Sequence, residues 1–360
     1  MNRALELAEQ GRGGAEPNPL VGCVVAHGAE VIGEGYHRRY GGPHAEVDAL
    51  QMAGERARGA TLYVTLEPCC HWGKTPPCSQ AVIKAGVHRV VAAMSDPFPQ
   101  VAGGGLAELR ASGVDVSVGL LEAEARRLNR PYLKLLATGR PWVIAKWAMT
   151  LDGKLASHAG SSQWISSPES RAIVHQLRGR VDAIIVAAGT ARADDPQLTA
   201  RPPGPRTALR VVVDDRGHLA LDSYLVRSAR ETPVLVATVA DASPDKLAAL
   251  RAAGCEVWQH SGFDRASRLA GLLDELGRRR FTNVLVEGGA KLLGNLFDAR
   301  QIDEVHVFVA PKLIGGSGAI APLAGIGIAN MADALRLESV QIETSGGDVY
   351  LRGHVLKPEA

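Results

Sequence analysis

His44-Ala45-Glu46, Pro68-Cys69 and Cys78 are the residues whose types and spacing suit hydrolytic metal chemistry. A zinc ion that works on water takes three protein ligands and keeps its fourth position for the water. The imidazole of His44 and the sulfurs of Cys69 and Cys78 make up such a set. Glu46, two residues past the histidine, is then free to carry protons without ligating. A purely structural zinc site takes four protein ligands and would leave Glu46 without a task. Cys70 competes with its neighbour, but Cys69 directly follows Pro68 and is the preferred ligand. Cys23 and Cys255 read as small buried hydrophobes. Five cysteines, odd in number and mostly clustered, point to metal chemistry before disulfides.

These side chains need a frame. His44 opens a helical pattern over 44–53, and Cys78 opens another over 78–85 that Gly86 closes. Helix N-termini lower thiolate pKa, which suits both ligand positions. Strands are expected at 21–26, 31–36, 62–66, 87–93 and 114–118, with further helices at 1–10, 106–111 and 121–129. Thr138-Gly139-Arg140-Pro141 punctuates the pattern and serves as a linker between domains 1–139 and 140–360. Strands follow at 142–148, 183–187, 210–213, 234–237, 283–286, 305–309 and 349–355, with helices at 169–177, 244–253, 264–277 and 290–297. Both halves therefore read as α/β.

Composition narrows the function classes. The chain has 360 residues, enough for two domains, with 40 Lys and Arg against 38 Asp and Glu. Each half lies within about one charge of neutrality, and aromatics are only 4% of residues. Neither a phosphate-backbone footprint nor a base-stacking surface is expected, so nucleic acid is excluded as a partner. That weighs against a tRNA deaminase with an appended domain. No apolar run reaches the length of a membrane span, and residues 1–10 lack a signal-peptide pattern. A cytoplasmic location is expected, with no membrane partner; homo-oligomerisation stays open. A zinc-stabilised binding protein without catalysis is the rival of a different class.

A second site is less explicit. Gly-x-Gly-x-x-Gly is absent from the second half, which argues against a Rossmann domain. Val284 to Gly294 instead gives a strand, the pair Gly288-Gly289 and a helix, a turn that lets a phosphate approach backbone N–H groups. Alone, the pattern fits a plain tight turn better.

The stretches Pro17-Asn18-Pro19-Leu20-Val21-Gly22-Cys23, Gly42-Pro43-His44-Ala45-Glu46-Val47 and Glu67-Pro68-Cys69 through Thr75-Pro76-Pro77-Cys78 resemble the bifunctional riboflavin-biosynthesis deaminase–reductases. The eight-residue spacer between the cysteines, unlike the two residues of the general zinc-deaminase pattern, is a habit of that family. In the second half, Lys146 to Lys154, Ser162 to Ser166, His175 to Arg178, Gly189-Thr190 and Asp194 to Arg201 follow in family order. The resemblance implies a cytidine-deaminase-like N-terminal domain and a dihydrofolate-reductase-like C-terminal domain. It also implies zinc-dependent hydrolytic deamination of a diaminopyrimidinone carrying a phosphoribosylamino group, then NADPH-dependent reduction of the ribosyl group to ribityl. Asn18, His37, His71 and Lys74 are implied to line the first substrate cleft. NADPH is implied to contact Ala148, Trp164, Thr190, Asp194 and the turn Gly289, Ala290, Lys291, Leu292, Leu293 and Gly294. Ser162, Arg178, Leu198, Arg201 and Glu287 are implied to hold the second substrate, with Arg178 and Arg201 clamping its phosphate through bidentate hydrogen bonds. Lys146, Asp194 and a bound water all remain candidates for the general acid. The chain departs from the family's usual residues at Cys70 (Ser), Phe98 (Asn) and Asp215 (Ser).

Overall fold

A computed structural model describes residues 1–260, 262 and 264–356. The chain divides into two compact units between Gly139 and Arg140.

In the first unit the order is α1 (Asn2–Glu9), β1 (Gly22–His27), β2 (Glu30–Tyr36), α2 (Ala45–Ala53), β3 (Thr61–Val64), α3 (Cys78–Lys84), β4 (Arg89–Ala92), α4 (Gly104–Ala111), β5 (Asp115–Val118), α5 (Glu122–Leu128) and α6 (Arg130–Thr138). The strands form one sheet in the order β2-β1-β3-β4-β5, antiparallel at β2-β1-β3 and parallel beyond. Ala45, Ala49 and Ala53 of α2, Val82 of α3, and Leu106 and Leu109 of α4 pack on Cys23, Val25, Leu62, Val64 and Val90. Ala4 and Leu7 of α1 meet Val24 of the sheet in a separate cluster. Gly35 lets α2 lie directly on β2: a Cβ there would come 2.6 Å from Ala49 N and overlap Ala45 O. That approach fixes the N-terminus of α2, where His44 stands.

The second unit runs β6 (Trp142–Thr150), α7 (Pro168–Arg178), β7 (Ala183–Ala187), α8 (Ala188–Asp194), β8 (Leu209–Val213), α9 (Tyr224–Arg227), β9 (Val234–Val239), α10 (Pro244–Ala252), β10 (Glu256–His260), α11 (Arg265–Arg278), β11 (Asn283–Gly288), α12 (Ala290–Asp298), β12 (Glu304–Ala310), β13 (Leu337–Ser345) and β14 (Asp348–Val355). Its sheet has the order β10-β9-β8-β7-β11-β6-β12-β14-β13. The run from β10 to β12 is parallel, and β14 and β13 close the edge antiparallel. α11 and α12 cover one face through Leu269, Leu272, Leu276, Leu293 and Leu296. α7, α9 and α10 cover the other through Leu177, Leu225, Leu247 and Leu250. β11 is inserted between β6 and β7, so the direction of winding reverses there, and such a reversal opens a crevice at the carboxyl ends of parallel strands.

Five elements lie outside the pattern expected from sequence: α6, the short α8 and α9, and the outer strands β10 and β13. The other elements fall within a few residues of their expected bounds.

Candidate functional site

His44 is the N-cap residue of α2 and has extended backbone (φ −81°, ψ 161°), which turns its ring off the helix end. Its Nδ1 lies 3.2 Å from Cys78 Sγ and 3.5 Å from Cys69 Sγ. All three donor atoms fall within 4.8 Å of one another. On the far side of the ring, Nε2 is 3.4 Å from Thr75 Oγ1, which orients the imidazole. Cys78 begins α3, and its backbone N–H points at Cys69 Sγ at 3.4 Å. The Cys78 thiol, hydrogen-bonded to the Cys69 sulfur, holds the Cys69 thiol down at about 4, against the effect of burial and with help from His44 and from the Cys78 backbone N–H. The same sharing, with burial, pushes Cys78 well above the ordinary thiol range. Two sulfurs over one proton, next to an imidazole nitrogen, are the donor set a zinc ion takes by displacing that proton, so the residues fit the metal.

Glu46 lies in the first turn of α2 and is 3% exposed. Burial, reinforced by the Cys69 sulfur, raises its carboxyl to about 7. A carboxyl there can hold or release a proton near neutrality, which general acid–base work requires.

The neighbouring residues are ordered as a chain. The Pro43 carbonyl can only accept, so His37 Nδ1 donates to it at 2.9 Å. His37 Nε2 then accepts from Asn18 Nδ2 at 3.1 Å, and burial lowers the His37 pKa and favours this neutral form. The His37 ring meets His44 edge-on at 5.2 Å. Lys74 is exposed on the rim, with Nζ 3.9 Å from the centre of the Tyr40 ring. His71 packs near Phe98 at 6.0 Å, and its buried Nδ1 has no hydrogen-bond partner. Phe98 thus supplies an aromatic contact where the family usually carries an amide.

One residue that sequence reasoning passed over holds the metal loop. Glu67, 3% exposed, accepts backbone N–H groups from Asp96 (3.1 Å), Gly103 (3.1 Å), Gly105 (3.0 Å) and Leu106 (3.2 Å). Its carboxylate binds the N-terminus of α4, where the helix dipole favours negative charge, and anchors the chain at Pro68-Cys69.

In the second unit a cleft of about 1660 Å³ opens at the carboxyl ends of β7, β8, β9 and β11. Ala148, Trp164, Thr190, Asp194, Gly289, Ala290, Lys291, Leu292 and Leu293 all line it, as do Ser162, Leu198, Arg201, Arg178 and Glu287. Gly294 does not. It is buried against the Ala324 carbonyl, which a Cβ would overlap. Gly289, at φ +91° and ψ 98°, turns the chain from β11 into α12 in a conformation that favours glycine. The backbone at the start of α12 can therefore approach an anion, which fits a dinucleotide.

The expected phosphate clamp needs one correction. Arg178 Nε and Nη2 donate to Glu287 Oε1 and Oε2 at 2.6 and 2.8 Å, and its Nη1 lies 3.4 Å from the Thr199 carbonyl. A guanidinium whose fork faces a carboxylate cannot present that same fork to a phosphate. Arg201 is exposed and bonded only to the neutral Gln197 amide oxygen among the described contacts, so it keeps its charge available. Lys146, on β6, faces this pair; burial lowers its pKa while Glu287 opposes the shift. Ser162 Oγ donates to Asp194 Oδ1 at 3.4 Å.

A metal centre of deaminase type in one unit and a dinucleotide-sized cleft in the other define the class: a two-domain pyrimidine deaminase–reductase. Residues 1–94 match the cytidine and deoxycytidylate deaminase zinc-binding region, and residues 141–351 match the RibD C-terminal domain. The riboflavin biosynthesis protein RibD of Actinobacillus pleuropneumoniae is 41% identical over 358 residues, covering 99% of this chain and 95% of that protein. RibD of Escherichia coli K12 is 42% identical, covering 98% and 97%. Among solved structures, RibD of Acinetobacter baumannii superposes with a TM-score of 0.86 at 36% identity, covering 99% of this chain and 98% of that one. The diaminohydroxyphosphoribosylaminopyrimidine deaminase/5-amino-6-(5-phosphoribosylamino)uracil reductase of Thermotoga maritima gives 0.84 at 34%, covering 99% and 97%. The chain belongs to the RibD family, the bifunctional deaminase–reductases of riboflavin biosynthesis. It carries both the zinc-binding deaminase domain and the reductase domain, and the latter implies a nicotinamide cofactor. No helix among the described residues is long and apolar enough to cross a membrane.

Proposed function

We propose that the first unit deaminates 2,5-diamino-6-(5-phosphoribosylamino)pyrimidin-4(3H)-one and that the second reduces the ribosyl group of the product to ribityl with NADPH. The observation that carries this reading is the convergence of His44, Cys69 and Cys78 beside the buried carboxyl of Glu46. Bound zinc supplies the Lewis acidity that makes water a nucleophile at neutral pH. Glu46 takes one proton of the attacking water and passes it to the ring nitrogen, then takes that oxygen's second proton as the carbonyl forms and passes it to the amino group, which leaves as ammonia. Neutral His37, fixed by Pro43 and Asn18, shapes the wall of the site. Lys74, on the rim, offers a cation to the substrate phosphate.

NADPH supplies the hydride in the second unit. Gly289 and the start of α12 receive its pyrophosphate, Thr190 and Asp194 flank it, and Ser162, Leu198 and Arg201 position the substrate. Glu287, held by Arg178, accepts from substrate hydroxyl or amino groups with whatever lone pairs the ion pair leaves free.

The test is a coupled assay on the whole zinc-loaded protein with the diaminopyrimidine phosphate, following ammonia and NADPH together. Ammonia release should precede NADPH consumption. Glu46→Gln should keep its zinc and lose ammonia release by several orders of magnitude. An undiminished Glu46→Gln enzyme would overturn the deaminase reading, and folded protein that leaves the deaminated substrate unreduced would overturn the reductase reading.

A further inference from the structure

The reductase cleft continues past the residues that resemblance marks. At its β8–β10 end it is lined by Asp215, Arg216, Thr238, Trp258, Arg265 and Arg268. Asp215 and Arg216 follow the end of β8, Thr238 lies near the end of β9, and Trp258 is on β10. Arg265 and Arg268 are three residues apart on α11 and so share a face.

The charges there are unequal. Arg268 Nη2 reaches Asp215 Oδ2 at 3.4 Å, while the buried Arg268 Nε has no hydrogen-bond partner. Among the described residues no ion pair holds Arg216 or Arg265, and both are exposed. The adjacent carboxylate of Asp214 is turned inward, accepting the Leu219 N–H at 2.7 Å. Asp215 is held by its main chain, whose carbonyl accepts from Thr238 Oγ1 at 2.9 Å and from Val239 N–H at 3.3 Å. Three guanidiniums thus line this end of the cleft, with the Asp264 carboxylate also near Arg268; Arg268 makes one long contact with Asp215 and leaves a donor unused. That is an anion site partly filled by the protein's own side chain.

Its position suits one particular anion. Two strand spacings separate β11 from β8, roughly 10 Å. A dinucleotide whose pyrophosphate sits at Gly289 would bring its adenosine ribose over this region. A 2′-phosphate is a dianion that a guanidinium binds through two parallel hydrogen bonds. A free 2′-hydroxyl is instead a donor that a carboxylate accepts.

We infer that the Asp215–Arg268 pair sets the preference between phosphorylated and unphosphorylated nicotinamide dinucleotides. A 2′-phosphate draws Arg268 away from Asp215, with Arg216 and Arg265 adding charge, whereas Asp215 receives the 2′-hydroxyl when no phosphate is present. Asp215 is therefore a built-in competitor that narrows the preference for NADPH and lets NADH bind as well. The inference rests on the dinucleotide reading of the cleft given above.

Equilibrium binding to the whole zinc-loaded protein tests it, using NADPH, NADH and the fragment 2′,5′-ADP and reading Kd calorimetrically. Asp215→Asn should raise the NADH-to-NADPH Kd ratio by about tenfold or more, the size of one charge-assisted hydrogen bond. Arg268→Met should bring the ratio close to one by weakening NADPH and 2′,5′-ADP while leaving NADH nearly unchanged. Arg268→Lys, which keeps the charge without the fork, should fall between, and thermal unfolding checks that each variant is folded. A ratio unmoved by Asp215→Asn, or equal weakening of both dinucleotides by Arg268→Met, would overturn the inference while leaving the reductase reading intact. Failure of the wild-type protein to bind either dinucleotide would overturn both.

Discussion

Arg178, the last residue of α7, presents Nε and Nη2 to the two carboxylate oxygens of Glu287 near the end of β11, at 2.6 and 2.8 Å. Both side chains are mostly shielded from solvent, at 14% and 5% exposure. Burial by itself would push the Glu287 carboxyl up, but the charge and hydrogen bonds of Arg178 outweigh it and the net shift is downward. The pair is thus a fixed part of the cleft floor, and α7 is tied to β11 through it.

Breaking that pair should be expensive and pH-dependent. Arg178→Met leaves a buried carboxylate without its partner, a loss of about 3–5 kcal/mol in the stability of the reductase unit. In the wild type the folded pKa of Glu287 is depressed, so its contribution is present above the ordinary carboxylate pKa and lost as pH falls through the folded value. In the variant, burial prevails and the folded pKa rises, so protonation relieves the penalty. The thermal-unfolding deficit should therefore shrink between about pH 8 and pH 5, and Arg178→Met with Glu287→Gln should recover part of it. A deficit that grows towards acid would contradict this account.

Glu67 acts on the metal centre without touching it. Glu67→Gln replaces one acceptor oxygen by an NH2 that faces backbone donors, leaving two of the four N–H groups that Glu67 accepts unpaired, at about 1–3 kcal/mol each. Unfolding of the first unit should shift by that amount. Zinc should also be stripped by a chelator at about tenfold lower concentration, the scale of other outer-shell losses.

Arg210 is fully buried, yet the oxygens it reaches are neutral: Gln197 O at 3.2 Å, Ser228 Oγ at 2.8 Å, Ser228 O at 3.2 Å, and Thr232 O. Burial lowers its pKa. Its guanidinium spans from β8 to the loop that carries Leu198 and Arg201 into the cleft, so it is a positioning residue. Arg210→Lys has too few donors in too small a reach to hold that span. The expected outcome is a reductase KM for the deaminated substrate raised about tenfold, with a smaller change in kcat; each lost bond to the charged group is about 1.5–3 kcal/mol. An unchanged KM would show that the loop holds itself.

The metal triad and Glu46 were legible because few residue types can ligate zinc, and their spacing crosses a strand into two helix starts. Glu67 was not, since its partners stand 29 to 39 residues away and a lone glutamate before proline looks like a surface charge. The helix α6 was hidden by Pro131, which reads as a breaker but fits the first turn of a helix. β13 has no buried face to pattern, and a register shift near Ser339, at φ +51°, interrupts its alternation. The Arg178–Glu287 pair shows the remaining gap: sequence marks a cation and an anion as site residues, but only the fold shows that they bind each other.

Cysteine reactivity should report whether the metal is in place. Without zinc, the Cys69 thiol sits at about 4 and is only partly buried, whereas Cys78 is buried and pushed upward, and Cys70 is raised by burial and nearby carboxylates. Cys69 is therefore thiolate in mildly acidic solution, where an ordinary thiol, with a pKa of about 8.5, is almost wholly protonated. Protein treated with a chelator and then iodoacetamide near pH 6 should be alkylated first at Cys69, identified by peptide mass. Zinc-loaded protein should be protected at the same residue, because the thiolate lone pair is engaged by the metal. Equal labelling of Cys69 with and without chelator would mean that this sulfur is not a ligand, and Cys70 would then have to be tested in its place.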